Sequence, residues 1–160
     1  MNNDLSKIIE DVVRDVLKTE KTDELNLKVA KKLAAIVEDK AAEIGVKAVV
    51  AIADAGARPI LVECMDDSFI ASYDIAFGKA YTVVSLKMST SKLKKLAEPG
   101  GSLYGIQFTN GGKIVIFGGG EPLYNKKGEL IGGLGVSGGT EAQDTALAEY
   151  GKKVFESRSF

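Results

Sequence analysis

Fourteen of the chain's 18 glycines fall between Gly100 and Gly139, out of 160 residues in all. A cluster this dense excludes a long helix, since each interior glycine costs a helix about 1 kcal/mol relative to alanine. It favours short strands, tight turns and places where backbones approach closely. Between the glycines, residues 104–108, 113–117 and 130–137 are rich in β-branched and aromatic side chains and are expected to be strands. Asn110-Gly111-Gly112 and Lys127-Gly128 separate them as hairpin turns.

The rest of the chain has a different pattern. Leu25, Val29, Leu33, Ile36, Val37 and Ile44 recur at helical spacing, which predicts a helix over 23–44 that stops at Gly45. Residues 46–53 are Val-, Ile- and Ala-rich and read as a buried strand. After the turn Asp54-Ala55-Gly56-Ala57, residues 59–64 return as its hairpin partner. Asp66-Asp67-Ser68 opens a helix running to about residue 87, and a short helix over 91–97 ends before Pro99-Gly100-Gly101. Thr140 and Gln143 form a capping box at the start of a last helix reaching to about Phe155. The expected fold is α/β of the α+β kind: a five-stranded antiparallel sheet flanked by helices.

Ahead of this domain, Leu5, Ile8, Ile9, Val12, Val13, Val16 and Leu17 make a narrow apolar stripe at helical period. Residues 19–24 are a polar, charged linker. The organisation read from the sequence is therefore an amphipathic helix over 1–18, a linker over 19–24 and a domain over 25–160.

Composition removes several function classes. The chain has no histidine and no tryptophan. Histidine-dependent nucleophilic triads are excluded, as is the commonest imidazole ligand for zinc or haem. A net charge of −1 gives no basic field for nucleic acid or acidic lipid. No apolar run is long enough to span a membrane and no secretory signal is evident. The single cysteine, Cys64, cannot form an internal disulfide, so a cytoplasmic setting is expected.

Several segments carry a family resemblance in order and spacing. They are Asp54-Ala55-Gly56-Ala57-Arg58-Pro59-Ile60, Met65-Asp66-Asp67-Ser68, Lys79-Ala80-Tyr81-Thr82 and Gly118-Gly119-Gly120-Glu121-Pro122-Leu123. The most specific is the stretch from Ile131 through Gly132-Gly133-Leu134-Gly135-Val136-Ser137-Gly138-Gly139-Thr140 to Gln143-Asp144. Together, over 25–155, the chain resembles the HbpS/GlcG/PduO C-terminal family. The resemblance implies a profilin- or PAS-like fold, homo-oligomers, and haem or corrinoid binding. Haem-binding members similar to this chain often use histidine, which is absent here. Cys64, Met65, Tyr73, Tyr81 and Met88 are the remaining soft or anionic candidates for haem iron. The N-terminal helix is similar to the encapsulation peptides of bacterial microcompartment cargo. This implies docking on shell or cargo proteins and a place inside such a compartment, in diol- or ethanolamine-type metabolism.

Each candidate has a functional and a structural reading. Gly118-Gly119-Gly120 either lines a pocket or supplies positive φ and tight packing at a strand end. Ser137-Gly138-Gly139-Thr140 either offers N–H groups to an anion or is a capped connection. Cys64-Met65 is either an axial ligand pair or a strand end. Asp66, Asp67 and Asp144 either bind a cation or complement helix dipoles, and Lys79 either pairs with a substrate or is structural. Three functions follow: a haem- or corrinoid-binding accessory protein, a non-catalytic assembly protein with a vestigial pocket, or an enzyme acting on a small metabolite.

Overall fold

The computed structural model describes residues 7–9, 11 and 24–157. Helix α1, Leu27–Glu43, begins where the Asn26 side chain accepts a hydrogen bond from the Val29 amide at 3.0 Å. It buries Ala30, Leu33, Ala34, Val37 and Ala41, a single face at three- and four-residue steps. Gly45, at φ +71°, turns the chain out of the helix. Strands β1, Val49–Asp54, and β2, Pro59–Cys64, form the expected hairpin. Its turn is held by Asp54 Oδ1, which accepts from the amides of Gly56 and Arg58.

Helix α2, Ile70–Leu86, and the short α3, Thr90–Ala97, come next. Strands β3, Gly120–Tyr124, and β4, Leu130–Ser137, form a second hairpin, and α4, Glu141–Ser157, closes the described chain. The sheet is antiparallel in the order β2-β1-β4-β3. Strand alternation divides its two faces. Val50 and Ile52, with their cross-strand partners Val136 and Leu134, join α1 and α4 in the main core. Val49, Ala51 and Ala53 face α2, where their partners in β4 include Gly133 and Gly135. A Cβ at Gly135 would collide with the Ala76 carbonyl, and one at Gly133 would lie 2.6 Å from the Ala80 carbonyl, so α2 rests directly on the glycine backbone.

Helices flanking an antiparallel sheet are as expected, but the described residues form four strands, not five. Residues 104–108 pass instead through a 3-10 turn, Ile106–Phe108, entered from Gly105 at φ +89°. Residues 113–117 are β-prone yet pair with no strand: Ile114 is buried and the Val115 amide donates to Thr82 Oγ1 of α2 at 2.9 Å. Asn110, Gly111 and Gly112 all have positive φ (52°, 65° and 78°), a left-handed run that forms a 3-10 turn rather than joining two strands. The strand that does form, Gly120–Tyr124, was hidden by its Gly, Glu and Pro. In the N-terminal segment Lys7, Ile8, Ile9 and Asp11 are helical, and the two of them that belong to the apolar stripe, Ile8 and Ile9, are exposed. Leu5, Val12, Val13, Val16 and Leu17, and the linker up to Asp23, lie outside the described residues.

Candidate functional site

The largest fully buried side chain in the described protein is a lysine. Lys79 projects from α2 with no exposure, and its Nζ donates to Asp144 Oδ2 at 2.9 Å and to the Val136 carbonyl at 2.7 Å. Asp144 lies in the first turn of α4, and its Oδ1 accepts from the Gly139 amide at 2.9 Å. Burial pulls the Lys79 ammonium below the ordinary lysine range, and the facing Asp144 carboxylate opposes that shift. The Phe117 ring lies over the ammonium at 5.0 Å from its centroid.

Gly118, Gly119 and Gly120 are buried around this pair. The Gly118 amide donates to Glu141 Oε1 and the Gly120 amide to Thr90 Oγ1, each at 2.9 Å. Gly119, at φ +109°, has no room for a side chain: a Cβ would lie 2.7 Å from Lys79 Nζ and from the Val136 carbonyl. Glu141 Oε2 pairs with Lys94 at 2.7 Å, and the Lys94 and Gly118 donors hold the Glu141 carboxyl below its usual range.

Above the pair opens a cleft of about 400 Å³, between the start of α2 and the loop leading into α4. Phe69, Ile75 and Phe117 form its apolar walls, and Ser137, Gly138 and Gly139 its polar end. Ser137 Oγ donates to Ser72 Oγ at 3.1 Å. Phe69 is 71% exposed and the neighbouring Ile70 96% exposed, so the apolar surface continues outside the cleft. The two acids at the cleft, Asp144 and Glu141, have both carboxylate oxygens engaged within the protein. The cleft therefore presents apolar walls with its charges turned inward. That chemistry suits a planar, largely apolar guest better than a charged substrate.

The residues nominated from sequence are thus divided. Ser137, Gly138 and Gly139 line the cleft, whereas Gly118, Gly119 and Gly120 pack behind it. Thr140 caps α4: its Oγ1 accepts from the Gln143 amide at 3.2 Å while Gln143 Oε1 accepts from the Thr140 amide at 2.9 Å. Cys64 and Met65 line a different depression, of about 660 Å³, with Glu38, Asp39, Lys47 and Asp67. There Cys64 is exposed, and Met65 Sδ lies 3.2 Å from the Ala48 amide. Asp67 is held below its usual range by Lys47, 2.8 Å away. Among the described residues no three His, Cys, Asp or Glu side chains gather as a metal site, and no helix is long and apolar enough to cross a membrane. Sequence reasoning did not nominate Phe69, Ile75, Phe117 or Glu141. The partnership of Lys79 with Asp144, 65 residues apart, has no local signal.

A family model described as haem degrading protein HbpS-like matches residues 25–153. The chain belongs to the HbpS-like family. An uncharacterized 15.0 kDa protein of the dhaT-dhaS intergenic region of Citrobacter freundii is 48% identical over 125 residues, covering 78% of this chain and 87% of that one. The corrinoid adenosyltransferase PduO of Citrobacter freundii is 40% identical over 110 residues, 69% of this chain but only 32% of that protein. The chain thus spans about a third of PduO. The crystal structure of a PduOC:haem complex superposes with a TM-score of 0.77 at 35% identity, over 81% of this chain and 94% of that one.

Proposed function

We propose that this HbpS-like chain is a haem-binding accessory protein that holds the ring in the cleft between Phe69, Ile75 and Phe117. The observation that carries the reading is the cleft's character: apolar walls, a glycine-backed end, and acids already satisfied within the protein. The PduOC:haem complex, a relative of the same fold, supports the ligand class. The donor set fits the ring better than its iron. No Cys, Met or Tyr side chain lines the cleft and the chain has no histidine, so the affinity is assigned to the walls. When bound, haem would supply the iron and porphyrin chemistry. The chain's own residues bury its faces and exclude water.

The test is a hemin titration by absorbance, with cobalamin in parallel. The reading expects a saturable Soret shift that weakens about tenfold or more in Phe117→Ala and Ile75→Glu, since a buried aromatic contributes about 1.5–3 kcal/mol. Cys64→Ala and Met65→Ala should titrate as the parent does. If those two abolish the shift while Phe117→Ala does not, the site belongs in the Cys64–Met65 depression. A response to cobalamin alone would make the protein a corrinoid handler. Silence toward both would leave an assembly role.

The amphipathic segment over 1–18 is further proposed to dock on shell or cargo proteins of a bacterial microcompartment, a reading supported by the exposed Ile8 and Ile9. Fusing residues 1–18 to a fluorescent reporter tests it: a reporter that stays diffuse in shell-producing cells ends the idea. The exposed Phe69–Ile70 surface supports a homo-oligomer, which sedimentation would detect.

A further inference from the structure

On the side of the protein formed by β3 and α4, a second depression of about 480 Å³ has a composition opposite to that of the apolar cleft. At its floor is Glu121 of β3, 9% exposed. Among the described residues nothing hydrogen-bonds or ion-pairs with its carboxylate, and neither oxygen is sealed from solvent, so the group is open to a donor entering the depression. Glu149 and Glu156 of α4 also line the depression, and three lysines outnumber them: Lys87 at the end of α2, Lys92 in the first turn of α3, and Lys153 of α4. None has a partner among the described residues. The fourth lysine, Lys152, is already engaged. Its Nζ donates to the Pro122 carbonyl and pairs with Glu156, each at 2.7 Å, and lies 4.7 Å from the Tyr124 ring centroid.

The first turn of α3 adds a weaker feature of the same sign. Its N-cap Ser89 and Lys92 border the depression, so the positive end of the helix dipole opens toward it. Burial raises the Glu121 carboxyl above its usual range, and Lys152 and Lys92 oppose that while Glu149 and Glu156 reinforce it. Lys152 and Lys92 offset its burial only at a distance, and no described donor contacts its oxygens, which distinguishes it from Asp144 and Glu141, whose oxygens are all used.

We propose that this depression is a binding site for a small metabolite that carries a hydrogen-bond donor at one end and an anionic group at the other. The donor, a hydroxyl or ammonium, would reach the Glu121 carboxylate. The carboxylate or phosphate would meet the ammonium groups of Lys87, Lys92 and Lys153. Amino acids, hydroxy acids and phosphorylated polyols share this bipolar pattern. A simple anion does not satisfy Glu121, and a simple amine or polyol leaves the lysines unused. The site is separate from the apolar cleft and does not depend on haem binding.

Isothermal titration of the full-length protein tests it with L-serine and glycerol 3-phosphate as bipolar probes, and inorganic phosphate and glycerol as half-probes. At least one bipolar probe should bind saturably, and about tenfold more tightly than either half-probe. Glu121→Gln should weaken that probe about tenfold while leaving the phosphate titration unchanged. The double variant Lys87→Gln/Lys92→Gln should weaken both. Circular dichroism would confirm that each variant is folded, and the charge-conserving Glu121→Asp should recover part of the affinity. Absence of saturable binding by either bipolar probe would overturn the proposal. So would equal binding of phosphate and the bipolar probes, because Glu121 would then contribute nothing. Binding that Glu121→Gln leaves unaltered would overturn it as well.

Discussion

Asp144→Asn tests the centre of the structure with a change of almost no volume. In the parent, one oxygen accepts from the Gly139 amide and the other from the Lys79 ammonium. An asparagine has one acceptor and one donor end. Whichever way it turns, either Gly139 loses its acceptor or an NH₂ group faces the ammonium. Lys79 has no exposure and loses its anionic hydrogen-bond partner, keeping the Val136 carbonyl, the Phe117 ring and at most a neutral amide oxygen, so a poorly compensated positive charge remains in the interior. Removing one partner of such a pair costs about 3–5 kcal/mol. For a chain of this size, 3 kcal/mol lowers Tm by about 6–12 °C. The assay is urea unfolding at pH 7 on the parent, Asp144→Asn, Lys79→Met and the double variant. The double variant should recover most of the loss, because it no longer buries a charge. The pH dependence has a definite sign. A lysine whose folded pKa is depressed adds stability that is present above its unfolded pKa and lost as pH falls through the folded one. The Asp144→Asn deficit should therefore shrink as pH rises toward the ordinary lysine range. A deficit under about 1 kcal/mol, or a double variant no better than Asp144→Asn, would refute the argument that the pair is a mutually dependent buried unit.

Gly119→Ala should cost about 1–3 kcal/mol by calorimetry, because φ +109° is strained for any side chain and the new methyl meets Lys79 Nζ. Thr140→Ala removes one half of the capping box and should cost about 1 kcal/mol in denaturant unfolding, with the sheet spectrum unchanged. Glu121→Gln should raise the denaturation midpoint at pH 7 and lose that advantage below about pH 4. A carboxyl with a raised folded pKa contributes stability that is complete below its unfolded pKa and lost as pH rises through the folded one. Identical midpoints for parent and variant across pH 4–8 would show that Glu121 is well solvated.

The helices and three of the four strands were legible because their patterns are local. Leu33, Val37 and Ala41 recur on one face of α1, and the Val/Ile/Ala run of β1 can only be buried. Outside the glycine-rich segment the start of α2 was misread: Phe69, not Asp66-Asp67-Ser68, is its N-cap, with no side-chain cap hydrogen bond. Within that segment, tertiary contacts overrode propensity. Residues 113–117 have strong strand character, but Thr82 takes the Val115 amide and Gly78 admits the Val115 side chain against α2. Conversely β3, with Gly120, Glu121 and Pro122, has weak strand propensity and is held by its register against Gly135, Leu134 and Gly133 of β4. At the candidate site, Ser137, Gly138 and Gly139 were visible as a motif. Phe69, Ile75 and Phe117 were not, since no spacing rule brings positions 69 and 117 together. The Lys79–Asp144 pair depends on the same long-range closure.

The bare backbone of β4 also sets a dimension. With α2 resting on Gly133 and Gly135, the helix lies nearer the sheet than side chains would permit, and that spacing fixes where Phe69, Ser72 and Ile75 stand at the cleft. Gly133 and Gly135 act as a spacer gauge for a pocket they do not line. Chains of this fold with alanine or serine at those two positions would hold the helix farther out and admit thicker guests. The breadth of ligands accepted across such proteins would then be set by two residues that touch none of them.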